Sequence, residues 1–138
     1  MNFIFLWVIW SLVSYFVVQI VSYERVLDSD RNKNLEILSN MLEVQLHRGP
    51  DDSGVYFDEK SGVNLGHNRL SVQDLSSKGR QPFISDCGNF VIVFNGEVYN
   101  FKDLRSELEA AGYWFKSQTD SEVVLYALAE WGQECVNR

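Results

Sequence analysis

The sequence contains little positive charge and few cysteines. Its 12 lysines and arginines are outnumbered by 19 acidic residues, so the net charge is -7 and the isoelectric point is about 4.7. This balance argues against a nucleic acid or an anionic surface as the natural partner. Cys87 and Cys135 are far apart and lack metal-ligand spacing. We therefore expect no disulfide framework, and a reducing, cytoplasmic compartment is the default expectation.

Charge is missing altogether from the start of the chain, where no charged side chain occurs before Glu24. Residues 3–22 form an almost continuous apolar run, and about 20 such residues can span a bilayer as a helix. A basic region and a small-residue cleavage site are both missing, which argues against a secretory signal peptide. A membrane anchor over residues 3–22 and a buried strand inside this run both stay open, because YFVVQIV is rich in β-branched residues. We accordingly divide the chain into an apolar segment at 1–22 and a folded domain at 23–138.

The spacing of apolar residues predicts the first elements of that domain. Residues 30–46 have an apolar face at helical spacing. Residues 54–57 and 62–67 flank a short polar loop, which is typical of a hairpin. Residues 89–94, NFVIVF, are apolar after Asn89 and predict a fully buried strand.

Two helices are predicted near the end of the chain. Asn100 is expected to cap a helix over residues 101–111, with Gly112 as its stop. Thr119 and Glu122 have the spacing of a capping box that opens the last helix. The predicted order is helix, hairpin, strand, helix, strand, helix. It indicates an α+β fold in which helices are layered on an antiparallel sheet.

The first of four polar motifs is Asn95-Gly96-Glu97, which interrupts an apolar run. An asparagine amide and a glycine N–H can point at one spot, and glycine lets the backbone approach closely. Two donors about 2.7–3.1 Å from a developing oxyanion are what acyl transfer requires. The alternative is a tight turn, since Asn-Gly is a common turn pair.

Each of the other three motifs contains polar groups that could serve a binding site or could have an ordinary structural role. HRGPDDSG at residues 47–54 could be a simple proline turn. GHNRLSVQDL at residues 66–75 contains Arg69, whose guanidinium can bind a carboxylate in bidentate fashion or simply face solvent. In TDSE at residues 119–122, Asp120 lies in the first turn of a helix, where a carboxylate is favoured in any case.

Together the four motifs resemble the glutaminase domain of asparagine synthetase, a class II glutamine amidotransferase with an N-terminal nucleophile (Ntn). The resemblance runs from about residue 33 to the end and includes QPF and VFNGEVYNFKDLRSELEAAGYWFKSQTDSEVVLYALAEWG. It implies an incomplete Ntn-hydrolase fold of αββα layers, in which residues from about Phe16 to Val21 would be the first, buried strand. It also implies that the domain binds L-glutamine to supply ammonia for asparagine biosynthesis. A synthetase domain or subunit would be the partner and would use ATP and Mg; we expect no cofactor in this fragment.

The resemblance also implies which residues line a glutamine pocket: Arg69, Leu70, Val72, Asn95, Gly96, Glu97 and Asp120. Arg69 would hold the α-carboxylate. Asp120 would bind the α-amino group, with help from Glu97. Asn95 and Gly96 would form the oxyanion hole, and backbone groups near the two aliphatic residues would complete the wall. The family usually has an aliphatic residue where this sequence has Gln73.

The catalytic cysteine of that family is absent. The family begins Met-Cys-Gly-Ile, and its cysteine should lie about 27–30 residues before HRGP, with its thiolate as the nucleophile. Residues 14–20 occupy that window and contain no cysteine. Cys87 and Cys135 cannot be N-terminal residues, so we assign no nucleophile. Exposure of Ser14 or Ser22 by cleavage is the remaining route to one. We expect glutamine binding with little or no hydrolysis.

Two other expectations concern the ends of the chain. The Ser-Gly-Gly-x-Asp-Ser loop of the synthetase domain does not occur, and the chain stops at Arg138 directly after a predicted helix. We expect a fragment with a replaced N-terminus, poorly soluble when expressed alone because apolar surface stays exposed. A different class of function also stays open: a membrane-anchored, non-catalytic glutamine-binding or interaction module, attached through residues 3–22.

A metal site has weak support in the sequence. The candidate ligands are His47 and His67, which are 20 residues apart, together with Asp51 and Asp52. Zinc sites need three or four well-spaced ligands, and no third strong ligand is evident. We therefore predict no metal.

Overall fold

A computed structural model describes residues 2–3, 20–24, 31–72 and 74–138. It contains three α-helices and six short strands. In chain order these are β1 (Asn2–Phe3), β2 (Ile20–Glu24), α1 (Arg31–Gln45), β3 (Asp52–Asp58), β4 (Val63–Arg69), β5 (Phe83–Ile84), β6 (Phe90–Ile92), α2 (Phe101–Ala110) and α3 (Asp120–Trp131). Single-turn 3-10 helices occur at Leu46–Arg48 and Ser77–Gly79, and a longer one at Gly132–Asn137.

The first sheet has the order β2-β4-β3 and is antiparallel throughout. Helix α1 covers one face of it through the fully buried Leu38 and through Leu42. A Cβ on Gly66 of β4 would lie 3.0–3.2 Å from methyl groups of these two leucines, so glycine lets the helix lie close to the strand. The apolar face predicted for this helix is thus confirmed for the residues at its centre. Leu35 near its start and Leu46 just after its end are exposed.

The second sheet has the order β1-β6-β5, in which β1 is parallel and β5 antiparallel to β6. Helix α3 packs on one face of this sheet, where Ile92 of β6 is part of a buried apolar cluster. The cluster consists of Phe83, Ile92, Phe94, Val124, Leu125 and Leu128. Helix α2 packs against α3 through a further cluster that includes Leu104, Leu108 and Val123.

Valines join the two sheets through their remaining faces. Val63 and Leu65 of β4 form one buried cluster with Val91 and Val93. Because side chains alternate along a strand, Ile92 and Phe94 then point the other way, toward α3. The order of layers is helix, sheet, sheet, helix. The α+β prediction is confirmed.

The predicted helices and hairpin are confirmed, but three details of the prediction are wrong. Residues 111–119, all of which the structure describes, contain no strand between α2 and α3. Asn100 lies at the N-cap of α2, yet its side chain donates to the Arg138 carbonyl at 2.8 Å and makes no cap bond. The capping box of α3 is half present. Thr119 Oγ1 accepts from the Glu122 N–H, whereas the Glu122 carboxylate binds Lys116 and Ser117 instead.

The predicted stop of α2 at Gly112 is confirmed. Gly112 has a φ of +98°, a left-handed conformation that glycine adopts without strain. The Gly112 N–H donates to the Glu109 carbonyl and the Tyr113 N–H to the Leu108 carbonyl, both at 3.0 Å. This pair of bonds is a Schellman motif and satisfies two of the last carbonyls of the helix.

Most of the apolar segment falls outside the described residues, which omit 4–19. The predicted strand at 16–21 overlaps β2 at its last two residues, and β2 crosses the predicted boundary between 22 and 23. The division into segment and domain stays a prediction. None of the helices within the described ranges has the length and apolar character that crossing a bilayer requires.

Candidate functional site

A cavity of about 470 Å³ lies where β4 and β6 end and α3 begins. This is within the usual size range of small-molecule sites, about 300–1,000 Å³. The structure brings all seven predicted pocket residues to its wall: Arg69, Leu70, Val72, Asn95, Gly96, Glu97 and Asp120. Gln73 is outside the described residues. The cavity therefore collects a cation, an amide pair and a carboxylate from three separate parts of the chain.

The alternation of side chains along β4 explains how Arg69 reaches the cavity. Val63 and Leu65 face the second sheet, and Arg69 lies on the same side of the strand. Arg69 as a whole is 7% exposed, and its guanidinium donates to the Ser76 carbonyl at 2.7 Å and also to the Asp74 carbonyl. A guanidinium carries five N–H donors, more than these two bonds use, so Arg69 can still bind a carboxylate.

Two residues that the sequence analysis did not assign hold Arg69 in this position. A Cβ on Gly79 would overlap Nη2 of the guanidinium, so only glycine fits beside it. Asp74 lies in the segment whose carbonyls bind Arg69. Its carboxylate accepts from the N–H of Ser76 at 2.8 Å and from the N–H of Gln118 at 3.0 Å. Bonds from Ser76 and Gln118 lower the pKa of Asp74 to about 2, so the carboxylate is ionised.

Asn95 and Gly96 form the wall that follows β6. Gly96 does not adopt a positive φ, so the pair is not the hairpin turn that was the alternative interpretation. A Cβ on Gly96 would lie 2.8 Å from the ring of Phe94, and that close approach requires glycine. The backbone of Phe94 is bound in turn by the Gln81 side chain, at 2.6 Å through its N–H and 3.0 Å through its carbonyl.

Asp120 stands at the first turn of α3 and is buried. Its Oδ2 accepts from the Val98 N–H at 2.9 Å, which ties the start of the helix to the segment after Gly96. Ser121 Oγ donates to Oδ1 at 3.3 Å. Burial raises the pKa of Asp120, and the Val98 N–H opposes that rise. Glu97 is more exposed and lies at the rim with Leu70 and Val72.

His67 also lines the cavity, two residues before Arg69 on the same side of β4. In the sequence, His67 is a candidate only for a weakly supported metal site. Burial, reinforced by the charge of Arg69, lowers the pKa of His67 to about 4, so its imidazole is neutral at physiological pH. Its buried Nδ1 has no hydrogen-bond partner among the described residues. The same residues include no group of three metal-binding side chains that could hold an ion.

Because side chains alternate along a strand, a pocket position for Arg69 also predicts a pocket position for His67, two residues earlier. Gln81 belongs to the QPF segment, which supported the resemblance without being given a role. No pattern in the sequence distinguishes Gly79 from other loop glycines, because its requirement comes from the guanidinium packed against it.

Comparison of the sequence with known proteins identifies the family to which this fold and cavity belong. A sequence model of the glutamine amidotransferase domain matches residues 19–138, so the chain belongs to that family.

Within the family, the relatives include asparagine synthetases. The chain is 39% identical over 103 residues to asparagine synthetase (glutamine-hydrolyzing) 1 of Bacillus subtilis strain 168, which covers 75% of this chain. It is 43% identical over 91 residues, 66% of its length, to a probable asparagine synthetase (glutamine-hydrolyzing) of Schizosaccharomyces pombe. It is 37% identical over 107 residues, 78% of its length, to the amidase chry2 of Gibberella zeae. The predicted resemblance to asparagine synthetases is confirmed. The chain spans about 16% of the length of each of these relatives.

Proposed function

We propose that the cavity binds L-glutamine, as the glutaminase domain of an asparagine-synthetase-like protein. The observation that carries this proposal is the convergence of Arg69, the Asn95-Gly96 pair and Asp120 on one cavity. A cation and a carboxylate on the cavity wall match the two charged groups of an amino acid. Amide donors on the same wall match a side-chain carbonyl.

The proposal assigns each polar group a part in binding. Arg69 binds the α-carboxylate, and Asp120, with help from Glu97, binds the α-amino group. Asn95 and Gly96 donate to the side-chain carbonyl of glutamine, whose oxygen would gain negative charge during attack. The segment from Arg69, at the end of β4, through Leu70 to Val72 contributes backbone groups and apolar side chains to the pocket wall. The order helix, sheet, sheet, helix supports the Ntn-hydrolase fold that the family resemblance implies.

The proposal includes little or no glutamine hydrolysis. No cysteine occurs in residues 14–20, and of the part of the chain that the structure describes, neither Cys87 nor Cys135 lines the cavity. A thiolate nucleophile beside the bound amide is the group that the chemistry of this family requires. We also propose a cytoplasmic setting and a synthetase domain or subunit as partner, which would hold the ATP and Mg that this domain does not need.

Isothermal titration with L-glutamine tests the proposal. We expect binding in the millimolar range or tighter, and Arg69→Met to weaken it at least tenfold because a charge-assisted, bidentate contact is lost. Arg138→Met is the matched control, since Arg138 is exposed and pairs with Glu107 away from the cavity. It should leave the affinity unchanged. Undetectable binding by the parent chain at millimolar glutamine, or equal effects of the two substitutions, would contradict the proposal.

A further inference from the structure

The pairing between β5 and β6 ends at Phe83 and Ile92, although the two segments run on in the same register. Phe83 pairs with Ile92 and Ile84 with Val91. Continuing that register by two residues places Gln81 opposite Phe94. Pro82 intervenes and has no N–H to donate, so the backbone ladder cannot continue in the usual way.

The side chain of Gln81 replaces the missing backbone partner. Its Nε2 donates to the Phe94 carbonyl at 3.0 Å, and its Oε1 accepts from the Phe94 N–H at 2.6 Å. A carboxamide has the donor and the acceptor of a peptide group, so it can bond to both backbone groups of one residue. Gln81 and Phe94 are each 6% exposed, and the two backbone groups would be costly to leave unpaired.

Gln81 is itself held on two further sides. Its Nε2 also donates to Ser121 Oγ at 3.2 Å, next to Asp120 at the start of α3. A Cβ on Gly54 of β3 would overlap the Gln81 carbonyl, so the strand packs directly on this backbone. The carboxamide therefore connects the wall after β6 with the wall formed by α3.

We infer that Gln81 is the positioning residue of the amide pair: by holding Phe94, it aims Asn95 and Gly96 at the cavity. Phe94 immediately precedes this pair, and its ring lies against Gly96. The consequence for glutamine rests on the proposed function. Gln81 acts through Phe94, so its loss should weaken recognition of the side-chain carboxamide and spare recognition of the α-groups by Arg69.

Three variants of the full chain separate the contributions of the two bonds. Gln81→Met keeps the length of the side chain and removes both bonds to Phe94. Gln81→Glu keeps the acceptor for the Phe94 N–H and removes the donor to its carbonyl. Gln133→Met is the matched control, because Gln133 is exposed and does not line the cavity. Circular dichroism verifies that each variant is folded.

The first measurement is hydrogen exchange of the Phe94 amide, which needs no ligand. We expect exchange at least about tenfold faster in Gln81→Met than in the parent chain, because the N–H loses its bond to the Gln81 carboxamide. Exchange should stay near the parent rate in Gln81→Glu and in the control. An unchanged rate in folded Gln81→Met would overturn the inference.

The second measurement compares the dissociation constants of L-glutamine and L-norvaline, which has the same α-groups but no carboxamide. In Gln81→Met the preference for glutamine should fall at least about fivefold, while norvaline affinity stays within about twofold of the parent. A purely structural role would weaken both ligands in parallel and would overturn the inference. A lost preference with an unchanged Phe94 exchange rate would mean direct contact with the ligand and would also overturn it.

The two measurements separate this inference from the proposed function. If the parent chain bound neither amino acid, the proposed function and the glutamine part of the inference would fail together. The Phe94 exchange rate would still decide whether Gln81 holds the segment.

Discussion

At the scale of single residues, the cavity depends on a position without a side chain. Gly79 lies against the guanidinium of Arg69, which is itself fixed by the carbonyls of Asp74 and Ser76. A methyl group at position 79 cannot be accommodated unless Arg69 leaves those carbonyls. Arg69, the predicted partner of the α-carboxylate, is thus oriented by Asp74 within its own motif and by Ser76 and Gly79 beyond it.

Gly79→Ala should therefore weaken L-glutamine binding about tenfold or more, while the chain stays folded. The reason is displacement of the guanidinium from its two carbonyl partners. Titration calorimetry and a thermal melt measure the two effects separately. Ser77→Ala, in the same turn and exposed, is the control. Equal glutamine affinity in Gly79→Ala and the parent chain would show that Arg69 does not bind the ligand.

His67 should make the stability of the domain depend on pH. Its pKa is about 4 in the folded chain and about 6.5 when unfolded, so between these values the unfolded state binds more protons. Stability is then fully present above about pH 6.5 and falls as the pH drops toward 4. Protonation would place a second positive charge beside Arg69, an effect that the charge of Asp52 partly opposes.

Between pH 7 and pH 5 the free energy of unfolding should decrease by about 2 kcal/mol less in His67→Gln than in the parent chain. Urea unfolding at the two pH values measures that difference for each variant. His47→Asn replaces an exposed histidine and should keep the pH dependence of the parent chain. The same loss in His67→Gln and in the parent would contradict the neutral, buried imidazole.

At the scale of elements, the start of α3 shows why one predicted strand is absent. Glu122 is 2% exposed, and its carboxylate accepts from Lys116 N, from Ser117 N at 2.7 Å and from Ser117 Oγ at 2.7 Å. Gln118 N donates to Asp74. These N–H groups bind carboxylates instead of a neighbouring strand. The apolar residues Trp114 and Phe115 favour a strand locally, but the side chains that bind the backbone come from distant positions.

Glu122→Gln should lower the free energy of unfolding by about 1–3 kcal/mol. The amide would keep one acceptor oxygen but would bring an NH₂ group toward N–H donors in a buried site. Urea denaturation measures the change. Glu107→Gln breaks an exposed ion pair with Arg138 and should cost no more than about 0.5 kcal/mol. Similar losses for the two substitutions would contradict the structural role of Glu122.

The sequence alone could predict elements whose signal is local, and it could not predict contacts made across the fold. The helix at 101–111 with its glycine stop, the hairpin and the buried strand each have periodicity or turn residues that act within a few positions. Asn100 has the right type for a cap, but the Arg138 carbonyl competes for its side chain. The pocket residues were predictable through a family resemblance, whereas Gly79 and Gln81 act only through their neighbours in space.

At the scale of the whole molecule, the layered fold explains why the cavity forms where it does. The two sheets meet through Val63, Leu65, Val91 and Val93. Close to these apolar residues β4 ends at Arg69 and β6 at Ile92. The polar residues at and just after these strand ends line the open edge. Helix α3 closes that edge with its N-terminus, where a carboxylate is stabilised. The cavity thus lies at the end of an apolar interface.

The whole chain should bind glutamine without releasing ammonia from it. The reason is that the cavity, as far as the structure describes the chain, contains no thiol. A coupled assay at saturating glutamine measures the rate of ammonia release, and the formation of free glutamate is measured as a second product. Cys87→Ser and Cys135→Ser are controls that should change nothing. Sustained release that one of them abolished would identify a nucleophile where we assign none.

The central claim, that four groups converge on one glutamine, is tested most directly by titrating ¹⁵N-labelled chain with L-glutamine and following amide and side-chain resonances. We predict saturable shifts concentrated at the Arg69 side chain, the Asn95 carboxamide, the Gly96 N–H and the amide of Asp120. Shifts that leave these four unmoved, or that scatter over separate surfaces, would contradict the account.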